Sequence, residues 1–135
     1  MNKKETKKQR SDRILRRLKK KYPNTKSYDL DGRGKHFVCE IEPVDEHPEY
    51  DRAIEVMIST RPHKHLKMTQ YYTIIFGNLD LYIDDKVIKL KTGDKYTVAT
   101  GKVHWAKSNG ECWLEIYSEP GWTKEDHILV NSKNK

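Results

Sequence analysis

His63-Lys64-His65, followed by Gln70 and Gly77, and then Gly93 through Ala99 and Gly101 to His104, decide how this chain is read. The first stretch has the form H-x-H-x4-Q-x6-G and the second G-x5-A-x-G-x2-H. On an extended strand residues two apart point to one face, so His63 and His65 direct both imidazoles at a common point. Imidazole is the side-chain ligand most often found on transition metals near neutral pH, and paired histidines are a usual start of such a site. Taken alone, His-x-His is also compatible with two surface histidines beside a turn.

Outward from these residues the chain reads as short strands and turns. His36–Ile41, Ala53–Ile58, Tyr71–Phe76, Leu79–Ile83, Val87–Leu90, Lys95–Ala99 and Cys112–Tyr117 have strand-type composition, with polar or Gly-containing connections between them. Asp84-Asp85 joins two alternating runs as a hairpin, and Thr92-Gly93-Asp94 makes the next turn. Near-regular spacing of short strands indicates an all-β barrel or sandwich. Before residue 24 the character differs. Residues 1–21 hold eleven Lys and Arg against Glu5 and Asp12, and the rest of the chain is close to neutral, so the formal +7 belongs to the leader. A helix is expected from about 11 to 21, beginning at Ser11 and ending before Pro23, with Ile14, Leu15 and Leu18 as a narrow apolar stripe over the barrel. The domain division expected is a basic leader over 1–24 and a barrel over 25–135.

The two histidine patterns resemble the paired motifs of the cupin superfamily, in which the first is H-x-H-x3,4-E-x6-G and the second G-x5-P-x-G-x2-H. His63, His65, Gln70 and Gly77 match the first, and Gly93, Gly101 and His104 the second; fifteen residues, Asn78 to Thr92, separate them. Asn109 also follows the second motif, one residue later than the family's usual place. The resemblance implies a double-stranded β-helix, or jelly-roll barrel, of the small single-domain type. It implies one divalent transition metal (Fe, Zn, Ni, Cu or Mn) held by His63, His65 and His104, with Gln70 at the position usually acidic. Gln70 then offers a neutral amide oxygen or leaves three imidazoles alone, which suits metals that favour nitrogen. Ala99 in place of the motif's Pro alters turn rigidity and not ligation. The segment from Glu115 to His127 is loosely similar to the C-terminal cupin of type II mannose-6-phosphate isomerases.

Tyr72, Trp113, Tyr117 and Trp122 are candidate pocket walls, with core packing the competing reading for Trp113 and Tyr117. Trp105, next to a candidate ligand, is expected to point away from it. Arg61, Lys64, Lys67 and Lys102 are candidate phosphate contacts, set against the plainer reading of surface charge. Glu119, Asp126 and His127 are the candidates for proton transfer, and no catalytic residue is assigned. Two function classes stay open. One is an enzyme on a small polar metabolite, with isomerase- or epimerase-like or dioxygenase-like chemistry; the other is a non-catalytic ligand-binding or sensor barrel whose leader contacts a partner. A homodimer is expected from the resemblance. Nucleic acid is disfavoured, because the leader lacks an interleaved aromatic before Tyr22. The start Met1-Asn2-Lys3-Lys4-Glu5 has no apolar signal region, and no run of about 20 apolar residues exists, so a cytoplasmic protein with no membrane contact and with Cys39 and Cys112 as free buried thiols is expected.

Overall fold

The computed structural model describes residues 4–130. It opens with helix α1 (Lys7–Lys21), which starts four residues before the expected Ser11. The earlier start has a local cause. Thr6 Oγ1 accepts from the Gln9 amide at 3.0 Å, and Gln9 Oε1 accepts from the Thr6 amide at 2.9 Å, so two end donors are satisfied reciprocally. Lys19, Lys20 and Lys21 occupy the last turn, where cations complement the partial negative charge of the exposed carbonyls.

Ten strands follow: β1 (Lys26–Asp29), β2 (His36–Glu42), β3 (Asp51–Ser59), β4 (His63–Lys64), β5 (Thr69–Phe76), β6 (Asn78–Ile83), β7 (Lys86–Lys91), β8 (Lys95–Val98), β9 (His104–Glu119) and β10 (Ile128–Leu129). They form one curled antiparallel sheet, running β1-β2-β3-β9-β4-β10, with β5 and β6 also joined to β9, and β8 and β7 outside them. The hairpin expected at Asp84-Asp85 is present: Ile83 pairs with Lys86, and both aspartates have positive φ (54° and 60°). Asp tolerates that backbone region better than most residues, which lets the pair replace the commoner Gly-containing turn. β1 and β10 were not foreseen; both are too short to show a period in sequence.

β9 is the spine of the fold. Its end near His104 pairs with β6 and touches β4, and its far end runs between β3 and β5, with Trp113 opposite both Val56 and Phe76. Gly77, which lies between β5 and β6, passes so close to this strand that a Cβ there would sit 2.5 Å from the Glu111 carbonyl oxygen. Its φ of +98° adds a second reason for glycine. The barrel interior is apolar at one end, where Ile74, Leu79, Leu81, Leu90, Leu114 and Ile116 pack together.

A second cluster lies on the outer face. Ile14 and Leu18 of α1 are fully buried against Phe37, Cys39, Val56 and Trp113. Arg10 Nε donates to the Gly34 carbonyl at 2.6 Å, Arg13 bridges Glu5 and Glu111, and Arg17 lies over the Trp113 ring. The basic leader is therefore docked along most of its length. Cys39 and Cys112 are both buried and free. Because Leu18 fills a closed site, Leu18→Ala should lower stability by about 2–4 kcal/mol in urea denaturation, whereas Leu66→Ala, at a 60% exposed position, should change it by less than about 0.5 kcal/mol.

Candidate metal centre

β4 carries the first imidazole. His63 stands opposite His104 of β9 across a strand pair, with ring centroids 4.3 Å apart. Two residues on, His65 falls on the same face, 4.9 Å from His63 and 5.5 Å from His104. A fourth imidazole joins them from the C-terminal segment. His127 stacks on His63 at 4.6 Å and lies 5.7 Å from His65. The tightest set of possible ligand atoms belongs to His63, His65 and His127, all within 4.8 Å of one another.

Asp126 explains how a residue so distant in sequence arrives here. Its buried carboxylate accepts from the amides of Leu66, Lys67 and Met68 at 2.7, 3.0 and 3.0 Å, and its carbonyl accepts from His65 Nδ1 at 2.8 Å. Those bonds fasten the last turn, Lys124–Asp126, beside the H-x-H strand. They also occupy the carboxylate, so Asp126 serves as a clamp in this geometry. Gly101, at φ +81°, donates its amide to the His65 carbonyl at 2.6 Å and ties the two histidine-bearing stretches together.

Three of the rings are oriented in the same way. His63 Nδ1 meets the Arg61 carbonyl at 2.7 Å, His65 Nδ1 that of Asp126, and His104 Nδ1 that of Lys102 at 2.9 Å. A carbonyl only accepts, so each Nδ1 bears the hydrogen and each Nε2 presents its lone pair. Outer-sphere bonds of this kind fix ring tautomer and direction in metal sites. His65 Nε2, His104 Nε2, His127 Nδ1 and Gln70 Oε1 are buried without a hydrogen-bond partner among the described residues. Orphaned polar atoms at that density, converging from four elements, fit a bound cation. Burial holds the rings neutral. It depresses His63 well below its ordinary value, with His104 adding to the effect, and lowers His65; His104 and His127 each fall to about 4, mainly through desolvation and then through the neighbouring histidines.

His63, His65 and His127 open onto an interior cavity of ≈ 70 Å³, whose walls include Gln70, Tyr72 and Trp122, while His104 does not line it. Past His63, Trp122 and His127 it widens into a cleft of ≈ 420 Å³ edged by Arg61 and Lys124. Trp113 and Tyr117 do not reach it. Cys112, Leu114, Ile116 and Ser118 take the inward positions of β9, so the alternate residues face out; Trp113 packs under α1, and Tyr117 stacks with Tyr50 and bonds Glu119. That bond places Glu119 on the outer face as well. Of the four candidate phosphate contacts, Arg61 edges the cleft and Lys102 is held by Asp84 at 2.9 Å; Lys67 is exposed, and Lys64 does not line the cavity. Trp105 stacks on Tyr82 at 5.2 Å, away from the histidines.

Two wall groups escaped the sequence reading. His36 Nε2 lies 2.6 Å from Glu55 Oε1, and both residues face the cavity, forming a pair able to hold or pass one proton. Strand alternation held the signal. In β2 and β3 the apolar residues Phe37, Cys39, Ile54 and Val56 serve α1, which turns the polar residues inward.

No protein-family model matches the sequence, and no curated protein matches it. Solved structures do. Streptomyces Pac13 with uridine aligns at 13% identity with a TM-score of 0.68, over 82% of this chain and 88% of that one. KdgF from a Halomonas species aligns at 12% and 0.63, over 74% and 89%. The ectoine synthase of P. lautus aligns at 8% and 0.64, over 83% and 86%. At such identities the likeness is one of architecture, and this chain has the cupin fold. No helix among the described residues is long and apolar enough to cross a membrane.

The neutral rings make stability pH-dependent in a defined direction. An unfolded histidine takes up its proton near pH 6.5, but folded His104 and His127 only near 4, so acid favours unfolding progressively between those values. Asp51 acts in the opposite sense. Burial raises its carboxyl from 3.8 to about 6, so its contribution falls as pH rises through that range. The histidines outnumber it. Metal-free protein should therefore show a Tm that declines from pH 7 to pH 4, and His104→Gln should flatten the decline; a Tm constant from pH 7 to 5 would contradict the neutral-ring assignment.

Proposed function

We propose that this cupin barrel binds one divalent transition metal among His63, His65, His104 and His127 and acts through it on a small polar metabolite. The observation that carries the proposal is the convergence of four imidazoles, three of them in buried residues, in which His65 Nε2, His104 Nε2 and His127 Nδ1 have no partner among the described residues. A group of that composition is costly to bury unless something satisfies it, and a soft or borderline divalent cation fits nitrogen donors. A metal held there supplies Lewis acidity toward a substrate oxygen or, for a redox-active ion, a site for dioxygen.

The chain's own residues supply the rest. Gln70 brings an uncharged oxygen where a carboxylate would offset one positive charge, so all four imidazoles and the amide leave the ion's full charge for the substrate. The His36–Glu55 pair holds a proton at His36 Nε2 on the opposite wall. Trp122 and Tyr72 present apolar surface beside it. Isomerase- or epimerase-like and dioxygenase-like reactions both draw on this arrangement. Similar structures include an enzyme described as a nucleoside dehydratase and an ectoine synthase, which supports catalysis as the use of the site.

One observation favours a second reading. Three protein ligands leave a metal open for substrate, whereas four nitrogens close a tetrahedral ion. His127 is the fourth imidazole, and full engagement of all four describes a sensor or binding barrel. His127→Ala separates these readings: in a closed site it should weaken metal retention and speed ligand exchange, whereas in an open site held by His63, His65 and His104 metal retention should be unchanged.

Elemental analysis of the untagged protein checks the central point. About one equivalent of Fe, Zn, Ni, Cu or Mn is expected, and it should be lost in His63→Ala, His65→Ala and His104→Ala alike. No bound metal after incubation with salts of all five would contradict the proposal.

A further inference from the structure

Opposite the histidines stands a wall that metal binding does not use. β1, β2 and β3 turn Tyr28, His36, Glu40, Asp51 and Glu55 into the cavity. The donors on this wall are already spent. The Tyr28 hydroxyl donates to Glu40 at 2.7 Å, His36 Nε2 meets Glu55 at 2.6 Å, and the Trp122 amide donates to Asp51 Oδ2 at 2.6 Å. Arg52, at the rim, is held by Glu42 and Glu115. Among the described residues no lysine lines the cavity.

What remains is a surface of acceptors. Glu40, Asp51 and Glu55 bring carboxylates, and Gln70 Oε1, in a residue only 6% exposed, faces the same space without a partner. Carboxylates removed from water need hydrogen-bond donors and preferably a positive charge. The penalty is visible at Asp51, which accepts one amide bond from Trp122 and makes no ion pair among the described residues: burial pushes its carboxyl up to about 6, with Glu55 and Glu40 adding to the rise. A phosphate or second carboxylate placed here would deepen that penalty. An ammonium group relieves it, with three N–H donors and one charge.

We propose that the cavity takes a small molecule bearing a protonated amine, seated against Glu40 and Asp51, with its oxygen-donor end turned toward the histidines. The proposal rests on the reading that this cavity is the ligand site, and it names the ligand's class. It also disfavours the phosphosugar suggested by the loose isomerase likeness, since the cations near the motifs lie outside the inner cavity.

The test is titration calorimetry of the full chain with γ-aminobutyrate, γ-hydroxybutyrate and glutarate, which match in length and differ in the charge of one end. Metal-free and zinc-loaded protein are both titrated. The amine should bind at least about tenfold more tightly than the hydroxy compound in both forms, and glutarate most weakly. Glu40→Gln and Asp51→Asn should each cut that preference to less than about threefold, since an amide oxygen keeps the bond to Tyr28 or to the Trp122 amide and removes only charge. Should a variant fail to fold, the comparison in the unaltered chain decides. Equal or tighter binding of γ-hydroxybutyrate or glutarate, or no amine binding at about 10 mM, a Kd worth little more than ~2.7 kcal/mol, overturns the proposal. Because the metal-free arm reads the carboxylate wall alone, a protein that never takes up zinc but keeps the amine preference overturns only the metal reading.

Discussion

The path of β9 constrains everything else in this structure. Sixteen residues, His104–Glu119, pair with β3, β4, β5 and β6, so one strand closes the barrel at one end and carries an imidazole to the site at the other. A strand with neighbours along both edges has its backbone groups satisfied internally and is held in register by both partners. His104 is placed opposite His63 by that register and not by any local preference. The close pass of Gly77 under the Glu111 carbonyl is where the path is tightest, which gives the glycine that ends the first motif a steric role.

The barrel interior is partitioned by polarity. One end is filled by aliphatic side chains and supplies the stability expected of a domain this size; the other holds histidines, glutamates and Gln70. Burying polar groups in that second half opposes folding, and the docked helix offsets it by adding a second apolar cluster on the outer face of β2, β3 and β9. The basic segment therefore has a structural task. Its buried stripe, Ile14 and Leu18, faces inward, and Arg10, Arg13 and Arg17 flank it with contacts to Gly34, Glu111 and Trp113.

Much of this was legible in the sequence. The H-x-H pair, the second-motif His104 and the glycines that separate strands sit at spacings a β-barrel requires, and the strands around them carry clear alternation. His127 was less accessible. It enters the cluster only because Asp126 caps three amides some sixty residues earlier in the chain, a long-range bond with no local signature. Trp113 and Tyr117 illustrate a different limit. Alternation in β9 was readable, but its phase was not: which set faces inward depends on α1 covering one side of the sheet and leaving the other for the barrel. The same ambiguity hid His36 and Glu55, since polar residues in a strand are ordinarily assigned to solvent. Here they line the cavity, because both faces of that sheet are buried and the helix takes the apolar one.

X-ray absorption at the zinc K-edge of reconstituted protein tests the central claim most directly, because it reads ligand type without requiring a substrate. The account predicts a first shell of nitrogen and oxygen at about 2.0–2.1 Å, with the outer-shell scattering of at least three imidazoles and no sulfur. A shell containing one imidazole or none, or one dominated by carboxylate and water oxygens, would contradict it and place the metal somewhere other than the histidine cluster.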